Sequence, residues 1–359
     1  MTIPNLCRIQ NKFACFVAGW RRSVLTGLGL FFLTGVAHAW ITLDLPNLNA
    51  PPGVLAVSHL PDGRFIYGNG NALYTQNTFG ATGVTSFASV PSVDPSFITV
   101  LNNTTAVIGA GGGFGVSPVY QFNPSSPASP GFSAVTTLQN YAGAPAGASS
   151  LFIDGSNGSG TNDFDLPNNA VSYVTLAGQQ QLLVDNAGGF SSGLAVDGTG
   201  DLFVSDDDNF GVYKFTAAQV QNAIAHATTL SLLGDGTLLH TFDADVVGSL
   251  AVDADGRIWA AGFGANGLFW FDPSSGLSGS LNPETGSATD PAYTLSTFSA
   301  NGSNYVSYIW QSDFANGSTV HYGYDTVQNV PEPATVTLWA ALAAGVAAFC
   351  KRRHRATLS

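Results

Sequence analysis

"SGLAVDGTGDLFVSDDDNFGVYKF", residues Ser192–Phe215, reads as three short strands joined by two tight turns. Leu-Ala-Val opens it, a Gly-Thr-Gly turn follows, Leu-Phe-Val-Ser-Asp alternates, and Gly-Val-Tyr-Lys-Phe closes it. Alternation over a short run bounded by Gly and Asp is the mark of a half-buried strand, and Asp-Gly or Thr-Gly between two such runs marks a hairpin. The phrase returns as "GVLAVSHLPDGRFIYGNGNALYTQ" from Gly53 and as "GSLAVDADGRIWAAGFGANGLFWFD" from Gly248. In the last copy a period of two puts Ile258 and Ala260 on one face and Arg257 and Trp259 on the other. Weaker copies begin at Pro95, Ala148 and Ser303, so the starts fall near residues 53, 95, 148, 192, 248 and 303.

One antiparallel meander cannot bury both of its faces, whereas meanders packed around an axis can. The expected fold is therefore all-β: a single β-propeller of about six four-stranded blades over residues 40–328. Seven blades is the rival count, and a pair of β-sandwiches the rival architecture. "WITLDLP", from Trp40, is expected to supply the strand that closes the ring beside the last blade. One helix is expected, from Thr216 to Ala227, with Thr216 as N-cap and Val220 and Ile224 on one face, capping a connection between blades. The Leu-Ala-Val-Asp phrase and its following strands resemble the NHL-type propeller repeat. The resemblance implies the fold, and it departs at the turns "DDDNFG" and "FGANG", which lack that repeat's usual Arg.

The two ends of the 359-residue chain read differently from its middle. Arg8, Lys12, Arg21 and Arg22 precede an apolar run, Ser23 to Val36, that ends on Ala37-His38-Ala39. These are the parts of a secretory signal peptide over residues 1–39, cleaved after Ala39 with Ala37 and Ala39 as the small residues of the site. Export by the general or by the twin-arginine route fits "RRSVL". At the other end, residues 335–350 are uncharged and as a helix would reach about 24 Å, against roughly 30 Å of bilayer hydrocarbon. Lys351, Arg352, Arg353 and Arg355 follow, as the positive-inside rule requires of a membrane stop. Before the helix stands Val330-Pro331-Glu332-Pro333, an extended and accessible peptide. This order of parts over residues 329–359 resembles the PEP-CTERM sorting signal of Gram-negative bacteria. The resemblance implies transient anchoring in the inner membrane and processing by an exosortase-type enzyme. Release to the cell surface or the extracellular polysaccharide matrix would follow.

Three cations, Arg64, Lys214 and Arg257, face all 23 carboxylates in the exported segment, a formal charge of about −20. That field excludes nucleic acid as a partner and admits divalent cations, neutral glycans or basic proteins. Cys7, Cys15 and Cys350 all lie in the terminal segments, so the body is stabilised without disulfides. Asp206, Asp207 and Asp208 are the candidate calcium ligands, with turn formation as the simpler role for them and for Asp197, Asp201, Asp253 and Asp255. His59, His226, His240 and His321 show no zinc spacing. Gluconolactonase-like propellers hold a metal with Glu, Asn and Asp; here Glu284 is the only Glu before the sorting motif. No nucleophile elbow or phosphate loop is present in the sequence. The expected role is a non-catalytic surface or matrix protein that binds exopolysaccharide. Its alternative is a lactonase-like hydrolase with acidic residues converging on the propeller axis. Trp259, Trp270 and Trp310 are expected mostly in the core.

Overall fold

Strand follows strand through residues 41–326 of the computed structural model, which describes residues 41–49, 56–77, 85–91, 95–110, 116–127, 129–156, 169–185, 193–206, 211–242, 249–261, 268–281, 292–300, 303–311 and 319–326. The chain divides into two units, Met1–Ala39 and Trp40–Ser359, and all described residues belong to the second. The signal segment, the sorting motif and the basic stop lie outside them. Among the described residues no helix is long and apolar enough to cross a membrane; residues 335–350 are not among them.

Six antiparallel meanders form. The first sheet joins Val57–His59, Arg64–Asn69, Ala72–Asn77 and Thr85–Ser89; the second Pro95–Asn102, Thr105–Ala110, Ser117–Phe122 and Ser133–Leu138. The third joins Ala142–Gly147, Ser150–Ser156, Asn169–Thr175 and Gln180–Asp185; the fourth Leu194–Val196, Leu202–Asp206, Gly211–Phe215 and Thr237–Thr241. The fifth joins Ser249–Val252, Ile258–Ala261, Leu268–Asp272 and Leu277–Leu281, and the sixth Ala292–Ala300, Ser303–Gln311 and Thr319–Thr326. The first strand of each sheet lies against the first strand of the next, and Ala292–Ala300 returns to Val57–His59. The molecule is one β-propeller. As "WITLDLP" leads one to expect, the N-terminal strand Ile41–Asn49 completes the last sheet, pairing antiparallel with Thr319–Thr326 from Ile41↔Tyr324 to Asn49↔Thr319.

Three expectations need correction. The sheets are not uniformly four-stranded: five have four strands, and the third gains a fifth, Leu230–Ser231, parallel to Val184 and Asp185. The phrases at Ala148 and Ser303 begin at or beside the second strands of their sheets, because the inner strands "AGAPAG" and "AYTLSTFSA" lack the Leu-Ala-Val signature. The helix α1 (Ala217–His226) does carry Thr216 as N-cap, in a capping box with Gln219. However, it joins the third and fourth strands of one sheet, the fourth, rather than two blades. It reaches the third sheet only in space, where Val220 and Ala223 pack among Leu183, Val184 and Phe152.

Strands read as half-buried are buried on both faces. Leu202–Asp206 is buried at every position, because each sheet is sandwiched between two others. Ile258 and Ala260 pack with Ala195, Phe203 and Val212 of the fourth sheet, while Trp259 and Ala261 pack with Leu295 and Val306 of the sixth. The face assignment from the period of two is therefore right, and both faces are core. Among the described residues, apolar clusters of this kind fill five of the intervals between sheets. The sixth interval holds an aromatic stack described below.

Candidate functional site

Three copies of one turn shape an end of the propeller. After the first strands of the first, fourth and fifth sheets, Gly63, Gly200 and Gly256 adopt φ of 85°, 89° and 82°. Their N–H groups donate to the carbonyls of Leu60, Asp197 and Asp253 at 3.0–3.1 Å. Only glycine takes this left-handed geometry without a Cβ penalty, which is why the Asp-Gly and Thr-Gly signals recur. The first of these turns borders a cavity of about 720 Å³ that receives residues from the inner strands of all six sheets.

The cavity wall is mostly apolar or hydroxyl-bearing, with Ser58, Thr99, Asn102, Ser296 and Thr297 among its neutral polar groups and Asp62 as a carboxylate at the mouth. Several of these tie neighbouring inner strands together. Thr99 Oγ1 donates to the Gly143 carbonyl at 2.8 Å, and Thr297 Oγ1 to the Val252 carbonyl at 3.0 Å. His59 from the first sheet lies 3.1 Å from Ser296 Oγ and stacks on Phe298 of the sixth at 4.0 Å and 15°. Phe298 stacks in turn on Tyr305 at 4.9 Å. This column joins the first and last sheets where the ring closes, in a body without disulfides.

Burial pushes the His59 imidazole down to about 3. Because the folded value lies below the unfolded one, protons bind preferentially to the unfolded chain as pH falls below about 6.5. Stability is then full above that pH and declines through the window between about 6.5 and 3. Urea unfolding at pH 7 and pH 4.5 should show His59→Phe, which keeps the stack, losing up to about 2–3 kcal/mol less on acidification than the wild type. Equal losses in the two proteins would remove His59 from the pH response.

Among the described residues the carboxylates do not converge on the axis. Asp62, at the mouth, is the one carboxylate among the described residues of the cavity wall, and its bonds from Arg64 at 2.6 and 2.9 Å hold it below the usual carboxylate range. Asp197 accepts the N–H groups of Thr199 and Asp201 at 2.8 and 3.0 Å. Asp253 accepts those of Asp255 and Arg257, and the Trp259 indole at 2.8 Å. Asp201 pairs with Lys214 at 2.5 Å and accepts the Ala217 N–H that opens α1. These are turn formers, as their simpler role predicts. Among the described residues no three or more His, Cys, Asp or Glu side chains are placed to share a metal ion. Asp206 is a buried strand residue; Asp207, Asp208 and Glu284 lie outside the described residues, as do the side chains of Trp310 and His321. Trp259 and Trp270 are in the core, 0 % and 9 % exposed. His240 stacks on Phe271 at 4.5 Å, and His226 bonds the Asn222 carbonyl of its own helix.

The comparisons agree on the fold. No family model and no curated protein matches this chain. Solved structures do. A calcium-binding regucalcin from Agrobacterium tumefaciens is 12% identical, covering 77% of this chain and 92% of its own, with a TM-score of 0.56. A PQQ-bound aldose sugar dehydrogenase from Streptomyces coelicolor is 12% identical over 80% and 98%, with a TM-score of 0.52. A gluconolactonase from Xanthomonas campestris is 12% identical over 80% and 90%, with a TM-score of 0.50. At this identity the likeness is one of backbone architecture alone.

A second depression adjoins the mouth. It measures about 240 Å³ and lies between the turns at Asp197–Gly198 and Asp253–Ala254 and the hairpin that carries Ser299, Asn304 and Tyr305. The sequence offered no sign of it, since its walls come from three separate sheets. Asn304 and Tyr305 lie in the weak repeat copy that begins at Ser303, and nothing in that copy marks them as lining a site.

Proposed function

We propose that the chain is an exported, exosortase-sorted surface protein whose propeller binds uncharged polysaccharide without transforming it. One observation carries the binding role. The channel mouth is faced mainly with neutral hydroxyl and amide groups, its described carboxylate Asp62 is paired with Arg64, and every cation of the body is already committed. Arg64 is paired with Asp62 at 2.6 Å, Lys214 with Asp201 at 2.5 Å and Arg257 with Asp255 at 3.7 Å. A body of about −20 formal charge with its cations thus engaged repels anionic polymers and leaves neutral, hydroxyl-rich ligands as its natural class. The address comes from the tail: Val330-Pro331-Glu332-Pro333 is the processing motif, and Lys351, Arg352, Arg353 and Arg355 hold the helix in the inner membrane until it is cut.

Fractionation of cells making the full chain tests both parts. The wild type is expected in the polysaccharide matrix, shortened at or near Pro331–Pro333, and released when the matrix is digested. A chain with Pro331-Glu332-Pro333 scrambled is expected at full tail length in the membrane fraction. Matrix protein that keeps its tail, or that ignores digestion of the polysaccharide, overturns the proposal.

A lactonase-type hydrolase is the second reading. Its support is the set of similar folds, which includes a gluconolactonase and a sugar dehydrogenase. These favour chemistry on sugar-derived small molecules over a purely structural role, whereas the dispersal of the described carboxylates weighs the other way. Turnover of an aldonolactone by the same secreted protein, dependent on an added divalent cation, would establish it.

A further inference from the structure

The geometry points to the 240 Å³ depression between the fourth, fifth and sixth sheets, rather than the axial cavity, as a subsite for one neutral pyranose residue of a polysaccharide chain. This rests on the polysaccharide reading above and gives it a location.

Sugar recognition needs an apolar surface for the C–H face of the ring, and a donor and an acceptor within reach of neighbouring hydroxyls. The depression has all three. Val252, Phe298 and Tyr305 provide the apolar wall, with Tyr305 fixed by its stack on Phe298 and its edge contact with Tyr324 at 6.1 Å. The donor is Asn304. Ser299, its partner across the hairpin, donates from Oγ to Asn304 Oδ1 at 2.6 Å. That bond occupies the amide oxygen and leaves the amide NH₂ to serve the depression. Asp197 is the acceptor: its turn is satisfied through Oδ1 by Thr199 and Asp201, so Oδ2 is the oxygen that can take a sugar hydroxyl. A carboxylate beside an amide NH₂ suits a vicinal diol, which donates to one and accepts from the other.

Charge sets the selectivity. Among the described residues two carboxylates, Asp197 and Asp253, and no Lys or Arg border the depression, so a uronate or a phosphorylated sugar is repelled at short range. Shape suits a chain over a closed small molecule. The depression shares Val196, Val252 and Thr297–Ser299 with the channel mouth, so a polymer can continue along that rim over the fourth to sixth sheets, away from the third.

The test is calorimetric titration of the secreted protein with neutral tetrasaccharides of glucose, galactose and mannose, and with a uronic-acid tetrasaccharide. Two variants accompany the wild type. Asn304→Ala removes the donor at a half-buried hairpin position. Pro145→Trp obstructs the axial cavity from the exposed wall of the third sheet, remote from the depression. Loss of one desolvated sugar hydrogen bond should weaken neutral binding roughly tenfold in Asn304→Ala, with wild-type affinity in Pro145→Trp and no uronate binding in either. Loss in Pro145→Trp but not in Asn304→Ala would move the site to the channel, overturning this inference while leaving the polysaccharide role standing. Uronate binding as strong as neutral binding would also overturn it. Failure of every neutral sugar to bind would remove both the subsite and the role.

Discussion

Trp259→Ala is expected to destabilise the propeller by about 3–5 kcal/mol, the range for emptying a large aromatic site in a close-packed core. At about 2–4 °C per kcal/mol, the unfolding midpoint should fall by roughly 6–20 °C. Trp259 has no solvent exposure, and it packs between the fifth and sixth sheets with Leu268, Leu295 and Val306. The indole also donates to Asp253 Oδ2 at 2.8 Å, so the side chain holds both an interface and a turn. Trp259→Phe separates these roles: most of the volume stays and the donor goes, at a cost of about 1–3 kcal/mol. Burial raises the Asp253 carboxyl above its ordinary value. A raised folded value means this carboxyl favours the folded state in acid and ceases to do so as pH rises through it. The penalty of Trp259→Phe should therefore be smaller at pH 4 than at pH 7, where the carboxylate is ionised and has lost its donor. Calorimetry at the two pH values checks this; a pH-independent penalty would mean the bond to Asp253 contributes nothing beyond packing.

Removing residues 40–49 should have a still larger effect. Ile41–Asn49 is the outer strand of the last sheet, and the same chain runs on into the first sheet. It therefore covers an open edge and ties the two ends of the ring together. Without it Thr319–Thr326 is an unpaired edge, and the first and last sheets are joined by the His59–Phe298–Tyr305 stack and its surrounding contacts. A fold with roughly 5–15 kcal/mol in hand is not expected to survive as a cooperative unit. The truncated protein should show a broad, early melt and rapid proteolysis, and a peptide of residues 40–50 added in trans should restore part of the lost midpoint. An unchanged melt would show that the ring closes without this strand. Cleavage of a signal peptide after Ala39 would leave the strand whole.

Local features were legible because their causes are local. Thr216 announced a helix start because its hydroxyl can reach the N–H of Gln219 three residues on. Gly63, Gly200 and Gly256 announced hairpins because the turn needs φ above zero at one position. The misplaced starts at Ala148 and Ser303 follow from the same rule: "AGAPAG" lacks bulky alternation, and its strand exists because neighbours on either side hold it. The helix between strands of the fourth sheet was assigned the wrong connection because nothing in Thr216–Ala227 encodes which strands it separates.

The chain's alternation of apolar and polar residues, its glycine-marked turns and its recurring Leu-Ala-Val phrase specified an antiparallel meander repeated around an axis, since backbone conformation and strand period act over a few residues. Packing alone decided that both faces of those strands are buried, that Asp62, Asp197 and Asp253 serve separate turns, and that His59 meets Phe298. It also set Asp197, Asp253 and Asn304 around one depression. Those residues come from different sheets, and their distances are set by how six sheets close into a ring.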